Sequence, residues 1–146
     1  MIVKATEQHY AEIGRVWEAS VRATHHFLRE DYLQEIKKLL PVIFPTVDMY
    51  VFKNDRHEID GFLGVAEQKI EMLFIRPDRM GQGIGRSLTK FAINELKADK
   101  VDVNEQNEQA VRFYQRMGFV IEGRTDEDGM GRPYPLLQMK LVNVRM

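Results

Sequence analysis

The segment Arg79-Met80-Gly81-Gln82-Gly83-Ile84-Gly85-Arg86 places three alternate glycines between an apolar run and a helical pattern. Glycines there let backbone N–H groups turn inward at the start of a helix, where the helix dipole favours an anion. Such a loop can cradle a pyrophosphate, although a tight turn with close helix packing uses the same spacing. A P-loop would need Gly-Lys-Ser/Thr, but Gly85 is followed by Arg86-Ser87, so the lysine for the outer phosphates is missing. A dinucleotide fingerprint wants a third glycine where Arg86 stands, and 146 residues is short for two mononucleotide-binding halves. Asp102, about 20 residues beyond Gly81, keeps that reading open as a ribose ligand.

Other side chains could move protons. Glu71 is the one carboxylate in the otherwise apolar run Ile70 to Ile75, where partial desolvation would raise its pKa toward that of a useful base. It could equally be a charge at the strand entry that reaches solvent. His25 and His26 carry imidazoles, a side-chain type whose ordinary pKa lies near neutrality, and either could act as a base or orient a substrate. Tyr114 shares a face with Phe113 and Met117, which by itself reads as core. Tyr134 on the last hairpin reads as a cross-strand packing residue, and Asp126, Glu127 and Asp128 could attract a cationic amine or form a solvated turn. The chain has no cysteine, which excludes disulfides, thiolate metal sites and a cysteine nucleophile.

These groups need elements to position them. Ile2 to Ala5 predicts a first strand, and Thr6 an N-cap for a helix carrying Tyr10, Ile13, Trp17 and Val21. A second helix is expected from Asp31 to Leu40, stopped by Pro41 and Pro45. Met49 to Phe52 and Ile59 to Ala66 read as a hairpin through Asn54-Asp55-Arg56-His57. Ile70 to Ile75 reads as a central strand covered on both faces. A helix from Gly83 carries Ile84, Leu88, Phe91, Ala92 and Leu96 on one stripe, and Val101 to Asn104 is a strand. Asn107 caps a helix closed by Gly118. Phe119 to Arg124 and Pro135 to Val142 are the last two strands. The architecture is mixed α/β, a sheet with helices on its faces, in a single domain over residues 1–146.

Composition narrows the function. An apolar fraction of 44% against 29% charged suits a soluble globular protein, and no apolar stretch is long enough for a membrane span. A formal net charge of −1 argues against nucleic acid as a partner. Met1-Ile2-Val3-Lys4-Ala5 lacks the features of a secretion signal, so a cytoplasmic protein is expected.

Four segments together carry a resemblance: Glu71 to Gly85; Asn104 to Val111 with Phe113-Tyr114 and Gly118-Phe119; Ala23-Thr24-His25 with Phe27-Leu28; and Pro133 to Leu137. In this order they resemble the GNAT N-acetyltransferases. The resemblance implies a mostly antiparallel mixed sheet of about seven strands flanked by about four helices. It implies acetyl-CoA as cosubstrate, no metal, and direct acetyl transfer to a primary amine, such as protein lysine or a small molecule, through a ternary complex. It also implies Tyr114 as general acid, Glu71 or His25 as base, Tyr134 near the acceptor side, and cofactor contacts from Leu73, Phe74, Ile75, Arg79, Gly81, Gln82, Gly83, Ile84, Gly85, Arg86 and Asn107. The family loop usually opens with Arg or Gln where Met80 stands, so that phosphate contact is lost or taken over by Arg79 or Arg86. The alternative is a noncatalytic acyl-CoA-binding module, and the protein is expected to be a monomer or homodimer.

Overall fold

The alternation of burial along Ile13, Val16, Trp17, Ser20 and Val21 gives the first helix, α1 (Tyr10–Thr24), one inward stripe at helical spacing. The computed structural model describes residues 1–142. In chain order these form β1 (Ile2–Lys4), α1, α2 (Glu30–Ile43), β2 (Asp48–Lys53), β3 (Ile59–Ala66), β4 (Lys69–Ile75), α3 (Ile84–Glu95), β5 (Lys100–Asn104), α4 (Glu108–Arg116), β6 (Phe119–Thr125) and β7 (Leu136–Leu141). The strands make a seven-stranded sheet in the order β1-β2-β3-β4-β5-β7-β6. Neighbours are antiparallel except β4 and β5, which run parallel. The mixed, mostly antiparallel architecture expected from the sequence is therefore present.

Each face of the sheet has its own core. Ile13, Trp17, Val21 and Leu33 of α1 and α2 pack with Val51, Phe62 and Met72. Leu88 and Ala92 of α3 and Tyr114 of α4 pack with Leu63, Val101 and Val103. Strand β3 feeds both, because its successive side chains Phe62 and Leu63 point to opposite faces and neither retains exposed surface. Burial of each is worth roughly 2 kcal/mol by transfer, so β3 ties the two layers together. Thr89 lies fully buried in the second core, and its hydroxyl is satisfied by donating to the Gly85 carbonyl at 2.8 Å.

Three local expectations are corrected. Pro41 does not stop the second helix; it lies inside α2, which continues to Ile43. A proline removes one helical hydrogen bond, and here Leu40 and Phe44, both buried, anchor the last turn on either side of it. Pro45 does end it, in a 3-10 turn followed by extended backbone at Val47. Thr6 opens a 3-10 turn, Glu7–His9, rather than capping α1 directly, and its N–H donates to His9 Nδ1 at 3.0 Å. Strand β4 is not covered along its whole length. It pairs with β5 only at Lys69 and Ile70, and Leu73, Phe74 and Ile75 beyond are partly exposed.

Close packing under that open half falls on Gly61 of β3. A Cβ there would stand 2.7 Å from Ile75 Cδ1, 3.1 Å from the Phe74 carbonyl oxygen and 3.2 Å from Ile84 Cγ2. Gly61→Ala should therefore displace the end of β4 and the start of α3 and destabilise the fold by about 1–3 kcal/mol. A thermal melt should show this as a fall in Tm of several degrees; an unchanged Tm would mean that these contacts relax freely.

Candidate active site

The loop from β4 to α3 acquires its shape from two glycines. Gly81 and Gly83 have φ of +82° and +84°, and no neighbouring atom would clash with a Cβ at either, so backbone conformation and not crowding requires glycine. Gly83 then caps α3, whose first N–H groups lack intrahelical partners and favour an anion. Just before it, Arg76-Pro77-Asp78-Arg79 makes a single 3-10 turn held by the Arg79 N–H to the Arg76 carbonyl at 2.9 Å.

A cavity of about 310 Å³ opens beside this loop, in the gap where β4 and β5 part. Arg79, Gly81, Gly83, Ile84, Gly85 and Arg86 line one end. Leu73, Phe74 and Ile75 form its middle, and Asn107 and Tyr114 its α4 side. Gln82 is exposed and lies outside the lining. The backbone edge of β4 beyond Ile70 is not taken by β5 and is available to an extended ligand. Two left-handed glycines, a helix N-terminus and arginines at one end of a slot suit a phosphate-bearing ligand with a long apolar-polar arm. These features fit acetyl-CoA.

Asn107 combines two tasks. Its Oδ1 accepts from the Ala110 N–H at 3.2 Å, capping α4, while the residue also lines the cavity. Tyr114, about two turns further on, packs edge-on against Phe113 and Phe119 at centroid distances of 5.1 and 5.6 Å. Desolvation by burial pushes its phenol well above the usual range, so it is held as an O–H donor at neutral pH.

His25 closes the far side of the cavity. As C-cap of α1 it donates its backbone N–H to the Val21 carbonyl at 2.7 Å. Thr24 Oγ1 donates to the Ser20 carbonyl at 2.8 Å and lies 2.7 Å from His25 Nδ1. Since the single hydroxyl proton goes to Ser20, Nδ1 must carry the proton in this pair. That leaves the lone pair on Nε2. Desolvation, and secondarily the charge of His26, lower the His25 pKa to about 4, so the ring is neutral at pH 7. His26 does not line the cavity.

Glu71 stands apart from these residues. In the β3–β4 register Gly64 faces Met72 and Val65 faces Ile70, so Glu71 is the extra residue of a bulge. Its side chain is exposed, not covered, and is absent from the cavity lining. Desolvation still raises its pKa, opposed by Lys69. Asp102 is held by Lys69 at 2.8 Å and does not line the cavity, which removes the support for a ribose ligand there.

The β6–β7 loop forms a wall against α2. Tyr134 stacks on Tyr32 at 5.2 Å and 2° between planes, and its hydroxyl accepts from the Arg29 N–H at 3.2 Å. Asp128 is a structural residue, not part of a merely solvated turn. Its Oδ1 accepts from the N–H groups of Met130 and Arg132 at 2.9 and 3.0 Å, and its Oδ2 from the Tyr32 hydroxyl. Arg132 also pairs with Glu35 of α2 at 2.6 Å.

Several lining residues were not singled out as site residues from the sequence: Ser20, Thr24, Gln109, Ala110, Phe113 and Arg116. Ser20 and Thr24 sit one turn apart at the end of α1, and Ala110 and Phe113 follow Asn107 at helical spacing, so periodicity could have found them. Arg116 sits where a helix C-terminus favours any cation, which conceals a second use.

The depressed pKa of His25 has a consequence for stability. Between about pH 6.5 and 4 the unfolded chain binds a proton at His25 that the native state does not, so stability falls as pH falls through this window. Urea unfolding at pH 7, 5.5 and 4 should show that wild type loses up to about 3 kcal/mol more than His25→Asn across the window. Parallel losses in the two proteins would show that burial does not resist protonation of this ring.

The chain is similar to known proteins over nearly all of its length. Residues 16–141 match the acetyltransferase (GNAT) domain family. The chain is 38% identical over 141 residues to the peptidyl-lysine N-acetyltransferase YjaB of Escherichia coli strain K12, covering 97% of this chain and 96% of that protein. It is 41% identical over 124 residues to the protein of the same name from Salmonella typhimurium strain LT2, covering 85% and 86%. The solution structure of apo-form YjaB from Escherichia coli superimposes with a TM-score of 0.90 at 37% identity, covering 99% of this chain and 98% of that one. With its glycine loop, its parted central strands and this match, the chain belongs to the GNAT acetyltransferase domain family and is an N-acetyltransferase.

Proposed function

We propose that residues 1–146 act as one catalytic domain that transfers acetyl from acetyl-CoA directly to a protein lysine in a ternary complex. The observation that carries this reading is one continuous cavity reaching from the glycine loop, along the open edge of β4, to Tyr114 on one side and His25 on the other. The choice of protein lysine rests on relatives named peptidyl-lysine N-acetyltransferase.

Acetyl-CoA supplies an acetyl group activated as a thioester. The backbone N–H groups of Gly81 to Gly85 and the start of α3 would hold its pyrophosphate. The unpaired edge of Leu73 to Ile75 would pair with the pantetheine arm and aim N–H groups at the oxygen on which negative charge develops. A lysine amine has a pKa near 10.4, so freeing its lone pair at pH 7 costs about 5 kcal/mol. With a pKa of about 4, the His25 ring cannot strip an ammonium outright. Its neutral Nε2 can accept a hydrogen bond from the free amine and take the proton that becomes acidic as the new N–C bond forms. Tyr114, held protonated by burial, can deliver its proton to the departing sulfur. Glu71, exposed and outside the lining, remains a base only through intervening water.

Release of free thiol from acetyl-CoA should depend on added lysine peptides. It should fall at least about tenfold in Tyr114→Phe and by a similar factor in His25→Gln, with folding checked by circular dichroism. Robust release in Tyr114→Phe would remove the acid role. Coenzyme A binding without release for any lysine peptide, polyamine or amino acid would favour the noncatalytic binding module.

A further inference from the structure

Asp60 is a buried acid that the catalytic reading leaves unused. It lies on β3 with 4% of its surface exposed, against the Arg76–Arg79 turn that leads into the glycine loop. An ionised carboxylate this deep is costly unless it is paired. Its Oδ1 accepts from Asn54 Nδ2 at 3.0 Å, and its backbone carbonyl accepts from the Arg76 N–H at 2.8 Å. Two guanidinium groups approach the same oxygen: Arg76 Nη1 at 3.6 Å and Arg79 Nε at 3.5 Å.

The two arginines are not equivalent. Arg76 is shared with Asp78, which it meets through Nε at 3.2 Å and Nη2 at 2.8 Å. Arg79 Nε is buried without a hydrogen-bond partner among the described residues, so the charge of Asp60 is its nearby compensation. That contact engages the Nε side of the guanidinium, and the residue lines the cavity beside Gly81. Met80, which occupies the position where the family usually carries Arg or Gln, lines the same cavity but offers no charge.

We propose that Asp60 is a positioning residue that fixes Arg79 so that its terminal N–H groups face the phosphates of coenzyme A, replacing the contact missing at Met80. The proposal rests on the acetyl-CoA-binding reading above. It assigns Arg79 the direct contact and Asp60 an action through Arg79 alone.

Isothermal titration of the full chain with coenzyme A tests this without any acceptor. Asp60→Asn and Arg79→Gln should each weaken binding by about tenfold. The double variant should be no weaker than Arg79→Gln within about twofold, because Asp60 has nothing left to aim. With a lysine peptide as acceptor, Asp60→Asn should lower kcat/KM for acetyl-CoA by about tenfold and that for acetyl-pantetheine, which lacks the nucleotide phosphates, by much less, whereas a merely structural role would lower both equally. Effects that multiply in the double variant, or an equal loss with acetyl-pantetheine, would overturn the proposal. If Asp60→Asn does not fold, undiminished affinity in Arg79→Gln is enough to overturn it. No coenzyme A binding by wild type would overturn the acetyl-CoA reading as well, whereas tight wild-type binding indifferent to both substitutions would overturn this inference alone.

Discussion

Strands β4 and β5 begin side by side and then part, after pairing at Lys69 with Lys100 and Ile70 with Val101. Parallel pairing that continued would have sealed Leu73 to Ile75 inside the sheet and left no cavity. Because it stops, the backbone edge of the central strand is free while β3 still holds its other edge in register through Ile75. A rigid strand with one free edge is a preorganised partner for an extended ligand, since the ordering cost was met in folding. The placement of α3 and α4 follows from the same divergence, because their N-terminal ends flank the gap.

Next to this opening lies a strand buried along almost its whole length. Ile59 to Val65 of β3 are buried throughout, and their side chains supply both helical layers. Gly61 lets Ile75 and Ile84 approach that strand, and Asp60 beside it meets the arginines of the loop. The glycine-loop end of the cavity is thus founded on this buried strand, not on a free surface loop.

Electrostatics divide the cavity by role. Cationic side chains gather at the glycine end, where phosphate charge would be neutralised. At the other end burial acts on two neutral groups in opposite directions, raising the Tyr114 phenol and lowering the His25 imidazole. Both effects keep the groups uncharged at pH 7, one as donor and one as acceptor. Separating a proton donor from a proton acceptor across a single slot is what attack on one side and departure on the other require.

Local chemistry made much of this legible in the sequence. The glycines at 81 and 83 were readable because only glycine enters left-handed backbone without strain, and the Asn107 cap because its side chain satisfies a helix end. Amphipathic spacing located all four helices, and turn residues separated the strands. What residue types could not determine was strand pairing and side-chain company, which arise between segments distant in the chain. Glu71 read equally as a desolvated base among apolar neighbours or as a charge reaching solvent, and a bulge turns it outward. Asp128 looked solvated because its neighbours are charged, but Tyr32, 96 residues away, donates to it. The lowered pKa of His25 and the burial of Asp60 were likewise decided by tertiary packing, since desolvation is a property of an assembled environment and not of a local sequence.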